Sequence, residues 1–162
     1  MAAGSEHLAS AASLRRPAPS VLVVGVAVFG AYHLALALFM AVAPRAFFTN
    51  VGPFGTVNTH YIRDTATFNA AIGVALLVAV RRPSWRVPVL ALTTLQFALH
   101  SINHLVDIGR AHPAWNGYFD FFSLAAATLL LAWLLRATLN DDDEQEPTHP
   151  LTPGSTTEGV PR

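Results

Sequence analysis

The sequence predicts an all-α membrane protein: a four-helix transmembrane bundle with up-down-up-down topology between two disordered tails. Charged residues make up 12% of the chain and hydrophobic residues 52%, whereas about 25% of a typical globular domain is charged. Four apolar runs occupy residues 21–43, 60–80, 87–108 and 115–137. Each is about 21–24 residues long, enough for a helix to cross the hydrocarbon core of a bilayer. Lipid admits only helices or closed barrels, and such long continuous runs favour helices.

The polar ends of the chain set the domain boundaries. Residues 1–20 are small and polar, and residues 139–162 are acidic and then rich in Pro, Thr and Gly. Neither segment carries enough apolar surface to offset the entropy lost on ordering, so both are predicted to be disordered tails. The transmembrane domain is therefore predicted to cover residues 21–138.

The first two runs have clear boundaries. Run 21–43 ends at Pro44, and it is longer than the hydrophobic part of a signal peptide, which favours a retained helix. Run 60–80 follows Asn58 and Thr59, either of which is a suitable N-cap.

The last two runs end at residues that are common at helix ends and membrane interfaces. Run 87–108 is followed by Gly109, a frequent C-terminal helix signal. Trp85 lies just before run 87–108, and Trp115 is the first residue of run 115–137. Indole rings at such positions prefer the interface between lipid and water.

Arginine placement predicts the orientation. All ten basic residues are Arg. By the positive-inside rule, the side of the membrane whose loops and tails carry more arginines is the cytoplasmic side. We therefore expect a multi-pass protein of the inner (plasma) membrane with both termini cytoplasmic. The expected partners are the lipid bilayer and a protein, either a second copy of this chain or another membrane protein. The absence of a basic field over the whole chain argues against nucleic acid. The cytoplasmic side is assigned Arg15, Arg16, Arg81, Arg82, Arg86 and Arg136.

Several ionisable or polar residues interrupt the apolar runs, which is costly in hydrocarbon and marks a candidate site. The predicted topology places most of them in the outer half of the membrane, with His33 near the midplane. Helical spacing groups them into stripes that we expect to face the bundle interior. This set comprises His33, His60, Arg63, Asp64, His100, Asn103, His104, Asp107 and Asp120.

The same residues suggest a metal site. His100 and His104 are one helical turn apart, a spacing at which two imidazoles can bind one ion. The chain has no Cys, which excludes disulfides, iron–sulfur clusters and Cys-type zinc sites. The hypothesis is a divalent transition metal held by His60, Asp64, His100, His104 and Asp107, with Arg63, Asn103 and Asp120 completing the polar core.

A b-type haem is a second form of the cofactor hypothesis, because it needs two His on different helices at matching depth. His33 with His100, or His60 with His104, meets that requirement in the predicted topology. Either cofactor makes the bundle a metal- or cofactor-binding protein that could be linked to redox chemistry.

Other interpretations remain open. The polar groups can act only as hydrogen-bonded packing contacts, as in a structural or accessory membrane subunit. They can also form part of a small transporter or proton pathway. Arg63 and Asp64 fit either an ion pair at the membrane boundary or an anion-binding site. Whether the protein is an enzyme stays undecided, because no nucleophile–base motif is recognisable.

The run F-G-T-V-N-T-H-Y-I-R-D at 54–64, followed by His100, His104 and Asp107, resembles a motif of small four-helix membrane proteins of high-GC bacteria. The similarity extends over residues 50–110. That group has no established activity, so the resemblance implies the fold and the choice of site residues, and no reaction.

Overall fold

The computed structural model describes residues 19–145, and the remainder of both predicted tails lies outside the described residues. Within this range the chain is helical, and four of its helices are long and apolar enough to span a membrane. The predicted fold class is confirmed, and the chain is a membrane protein. The helices are α1 (Pro19–Val42), α2 (Pro44–Asn50), α3 (Thr59–Arg81), α4 (Arg86–Val106) and α5 (Ala114–Gln145), with a 3-10 turn at Pro83–Trp85.

Local signals explain where α1, α2 and α3 begin and end. Pro44 stops α1 and opens α2, where its missing N–H costs nothing in the first turn. Asn58 caps α3, because its side-chain oxygen accepts a hydrogen bond from the backbone N–H of Tyr61 at 3.1 Å. Asn58, rather than Thr59, is therefore the N-cap of α3.

Two boundaries differ from the sequence prediction. Helix α4 ends at Val106 with Asp107 as its C-cap, so Asp107 lies in the turn after the helix. Helix α5 continues to Gln145, past the predicted tail boundary at residue 138. The sequence from 118 to 146 contains no Gly or Pro. No helix-breaking residue is therefore present until Pro147, which explains why α5 extends beyond residue 138.

The long helices associate as two close pairs, α1 with α3 and α4 with α5. Gly30 and Gly73 let the backbones of α1 and α3 approach each other. A Cβ on Gly73 would lie 3.0 Å from the carbonyl oxygen of Gly30, so the helices cross where neither has a side chain.

The bundle has two chemically different ends. We call the end that carries α2 and the loops 51–58 and 107–113 the α2 end, and the opposite end, where α1 begins and α5 finishes, the termini end. All four long helices contribute to an apolar core towards the termini end, so the two helix pairs are joined there by hydrophobic contact. The core includes Leu22, Val26, Leu76, Leu90, Leu131 and Leu134.

The predicted inward-facing stripe on α3 is wrong. His60, Arg63, Asp64 and Thr67 are all exposed. The buried face of α3 instead carries small and apolar residues such as Ala66, because that face packs closely against α1. The polar side chains occupy the first turns of α3, where they can reach water at the membrane boundary.

Candidate functional site

The polar interior lies towards the α2 end, between α4 and α5. Gln96, His100 and His104 follow one another at steps of four residues along α4, which places them on one helix face. Gln96 and His104 are partly buried there, whereas His100 is exposed, contrary to the predicted inward orientation. The rings of His100 and His104 meet edge to face with centroids 4.7 Å apart. The helical spacing predicted from the sequence therefore brings these two imidazoles into contact.

His104 faces Asp120 of α5. His104 Nδ1 lies 3.9 Å from Asp120 Oδ2, and their side chains are only 13% and 16% exposed. Neither atom has a hydrogen-bond partner within the described part of the chain. A separation of 3.9 Å is too long for a hydrogen bond, so the two atoms approach each other without bonding directly. We call these residues the His104–Asp120 pair.

Asn116 extends the polar lining of α5. It lies one helical turn before Asp120, is buried, and its Oδ1 has no hydrogen-bond partner among the described residues. Gln96 Oε1 is buried and unpartnered in the same way. Buried polar atoms are nearly always hydrogen-bonded in proteins, so these unpartnered atoms are candidate contact points for water, an ion or a ligand.

The loop after α2 covers the His104–Asp120 pair. The Phe54 ring packs edge to face on the His104 ring, with centroids 5.0 Å apart. Phe54 also forms an isolated antiparallel bridge with Ala111, and His112 N–H donates to the Pro53 carbonyl at 3.3 Å. These backbone contacts join the two loops of the α2 end and hold the phenyl ring over the histidine.

His33 belongs to a different contact. It is 2% exposed on α1, and its Nδ1–H donates to Asn69 Oδ1 on α3 at 3.0 Å. Asn69 in turn donates to the Thr65 carbonyl at 3.0 Å, which fixes the orientation of its amide. The other ring nitrogen of His33, Nε2, is buried without a partner among the described residues. The ring of Phe97, which lies three residues before His100 in α4, packs against His33.

The acidic and basic residues near the start of α3 form an exposed group. His60 Nε2 lies 3.3 Å from Asp64 Oδ2, with side chains 87% and 56% exposed. Arg63 Nε donates to the Ala41 carbonyl at 3.3 Å rather than to Asp64. The contacts of His60 are therefore with its own helix, away from the His104–Asp120 pair.

The remaining predicted site residues lie at the end of α4. Asp107 Oδ1 forms an ion pair with Arg110 Nη1 at 3.2 Å, and Asn103 is exposed. Asp107 thus neutralises a loop arginine, while Asp120 is the carboxylate that approaches His104.

The structure distributes the five proposed metal ligands over separate contacts. Among the described side chains, those of residues 21–141, no group of three or more His, Asp or Glu is arranged to hold a metal ion. His100 and His104 lie together, His60 lies with Asp64, and Asp107 lies with Arg110.

One contributor was not singled out from the sequence, Asn69. The spacing of four residues between Asn116 and Asp120 is a signal for a shared face. Nothing in the sequence connects Asn69 to His33, because that contact depends on how α1 and α3 pack.

No protein family, curated protein or solved structure matches this chain at a significant level.

Proposed function

We propose that this membrane protein binds a divalent transition-metal ion between α4 and α5, with the His104–Asp120 pair as its first two ligands. The observation that supports the proposal is the 3.9 Å separation of two buried atoms, His104 Nδ1 and Asp120 Oδ2, neither of which has a hydrogen-bond partner in the described part of the chain. Imidazole nitrogen and carboxylate oxygen both bind zinc-like ions at about 2.0–2.2 Å. Two ligands of a tetrahedral ion at such distances lie about 3.3–3.6 Å apart, so the pair has to close by only a few tenths of an ångström.

His100 is the third proposed ligand. Its ring already contacts the His104 ring from the preceding turn of α4, and its side chain is exposed enough to change rotamer. A rotation about χ1 or χ2 is required, because the described conformation brings no three ligands together. Three protein ligands leave one position of a tetrahedral ion open to water or substrate, the arrangement used by catalytic zinc sites.

The test is elemental analysis of protein purified in mild detergent without metal-affinity chromatography, before and after incubation with Zn²⁺ or Co²⁺. We expect about one ion per chain, lost in His104→Ala and Asp120→Asn. The matched control is His60→Ala, which removes an exposed His from another His–Asp pair at the same end. Circular dichroism confirms that each variant is folded.

Two results contradict the metal hypothesis. The first is a folded wild-type protein that binds no ion at any tested concentration. The second is a loss of metal in His60→Ala equal to the loss in His104→Ala, which places the ion elsewhere.

A structural or accessory role in a membrane complex is the second candidate, and two interhelical hydrogen bonds support it. His33 on α1 donates to Asn69 on α3, and the hydroxyls of Ser101 on α4 and Thr128 on α5 lie 3.3 Å apart. Each contact joins one helix pair, as expected of polar groups that fix helix packing. For this role, Ser101→Ala should lower stability or assembly with a partner and leave metal content unchanged.

A transporter or proton pathway has less support. Transport requires a polar route through the whole membrane, and the core towards the termini end is built from apolar side chains of all four long helices.

The proposed location is the plasma membrane, with both termini cytoplasmic, and it rests on the arginine distribution. The chain has no Cys, so single-cysteine variants test this directly. A membrane-impermeant thiol reagent should label Thr56→Cys in intact cells and Ser84→Cys only after permeabilisation. Both positions are exposed, at opposite ends of the bundle. The reverse labelling pattern contradicts the proposed orientation.

A further inference from the structure

An open cavity lies at the α2 end, where α1 ends, α2 begins and α3 starts. Its volume is about 470 Å³, and it is lined by residues 42–46, Thr59 and Arg63. Three helices therefore contribute to its walls, so it is a recess between elements rather than a depression on one helix surface.

The cavity is basic. Arg45 and Arg63 both line it, and its lining contains no Asp or Glu. The ion pairs between side chains of residues 21–141 involve other partners, and neither of these arginines takes part in one of them. The nearest acidic residue along α3, Asp64, lies against His60 instead. Two guanidinium groups thus meet at one recess without a counter-charge from the described chain.

Arg63 is held in position by the end of α1. Its Nε donates to the carbonyl oxygen of Ala41 at 3.3 Å. This carbonyl is in the last turn of α1, where no backbone N–H of the helix can reach it. The contact uses one N–H of the guanidinium and leaves the two terminal NH₂ groups for a ligand. A guanidinium fixed in this way presents the planar fork that matches phosphate oxygens.

The ends of two candidate membrane spans bound the cavity, and such ends are expected at the depth of phospholipid headgroups. An exposed apolar side chain, Val42, forms part of its lining. A ligand with an anionic head and an apolar tail would have surfaces for both parts there.

We propose that this cavity binds a phosphate-bearing anion, with the guanidinium groups of Arg45 and Arg63 as charge partners and the Thr59 hydroxyl as an additional hydrogen-bond donor. The shared chemistry is that of a phosphate ester, which an anionic phospholipid headgroup or a soluble phosphate ester supplies. The site is separate from the His104–Asp120 pair, so its test is independent of the proposed metal.

The experiment measures equilibrium binding of phosphatidylglycerol, phosphatidylcholine and glycerol 3-phosphate to the full-length protein in nonionic detergent. Arg45→Gln and Arg63→Gln are the test variants. Arg110→Gln is the matched control, because Arg110 is an exposed arginine at the same end that pairs with Asp107. Arg63→Lys keeps the positive charge at residue 63. If Arg63→Gln fails to fold, the binding measured for Arg63→Lys and Arg45→Gln tests the proposal instead.

We expect phosphatidylglycerol to bind more tightly than phosphatidylcholine, since only the former carries net negative charge. Loss of one arginine should weaken binding about fivefold, and loss of both about 25-fold. Arg110→Gln should leave binding unchanged, and Arg63→Lys should retain most of it. Binding of glycerol 3-phosphate with the same dependence on Arg45 and Arg63 identifies a soluble ester as the source. Binding of phosphatidylglycerol alone identifies a lipid.

The proposal is overturned if the two lipids bind equally and glycerol 3-phosphate does not bind. It is also overturned if Arg110→Gln weakens binding as much as Arg45→Gln, because the attraction would then be a general effect of surface charge.

Discussion

The crossing of α1 and α3 gives the sharpest test of the packing, through Gly73→Ala. A Cβ at Gly73 would lie 3.0 Å from the Gly30 carbonyl oxygen and 2.9 Å from Leu34 Cγ. The carbonyl belongs to the backbone of α1, so it cannot move without the helix, and the two helices must separate by several tenths of an ångström. Overpacking costs about 1–3 kcal/mol, and contact with backbone, which no rotamer change can relieve, places this variant in the upper part of that range, at about 2–3 kcal/mol. The higher helix propensity of Ala offsets about 1 kcal/mol. We expect a net destabilisation of about 1–2 kcal/mol.

Two other glycines are matched controls. In Gly25→Ala the new Cβ would lie 2.9 Å from Leu134 Cδ2, the end of a side chain that can change rotamer. This variant has the same gain in helix propensity as Gly73→Ala, so its stability should stay close to that of the wild type. Gly109→Ala meets no atom within 4 Å and should also be neutral.

The assay is reversible unfolding in mixed micelles of mild detergent and dodecyl sulfate, followed by circular dichroism. It gives the free energy of unfolding of each variant relative to the wild type. Two results would refute the inference that backbone contact limits the distance between α1 and α3. The first is that Gly73→Ala is as stable as the wild type, and the second is that Gly25→Ala is less stable than Gly73→Ala.

The same assay checks three further predictions. Asn69→Leu removes the acceptor of the His33 N–H and should cost about 1–2 kcal/mol; no loss would mean that this buried hydrogen bond contributes nothing. Leu76→Ala opens a cavity in the fully buried core and should cost about 2–5 kcal/mol, whereas the exposed Leu129→Ala should be near neutral, and equal effects would contradict the assigned core. Asn58→Ala removes the cap of α3 and should cost about 0.5–2 kcal/mol, with Asn58→Ser restoring most of the loss if capping is the cause.

Much of the helical architecture could be predicted from the sequence, because helix formation in a bilayer is a local property. Each spanning segment must satisfy its backbone hydrogen bonds within itself, so the length of an apolar run nearly fixes the length of its helix. The predicted run 60–80 became Thr59–Arg81, and Asn58 caps it as its side chain suggests. The short helix α2 was not predicted, because its seven residues are too few for a helical repeat of apolar residues to be recognised in the sequence.

The candidate site was predictable only in part. The step of four residues between His100 and His104 brought their rings together, since both lie on one rigid helix. The predicted partnership of these histidines with Asp107 stays a prediction. Asp107 lies in the turn after α4 and contacts Arg110, whereas Asp120 of α5 approaches His104.

By itself, the sequence determined the number of spanning helices, most of their ends and the faces shared within one helix, since these depend on residues close in the chain. Only the tertiary structure decided that α1 pairs with α3 through Gly30 and Gly73, that Asn69 receives the His33 N–H, and that the polar turns of α3 are exposed. Those outcomes depend on the rotation of each helix about its own axis. In lipid, hydrophobicity distinguishes such rotations weakly, so small residues and single hydrogen bonds between distant parts of the chain select among them.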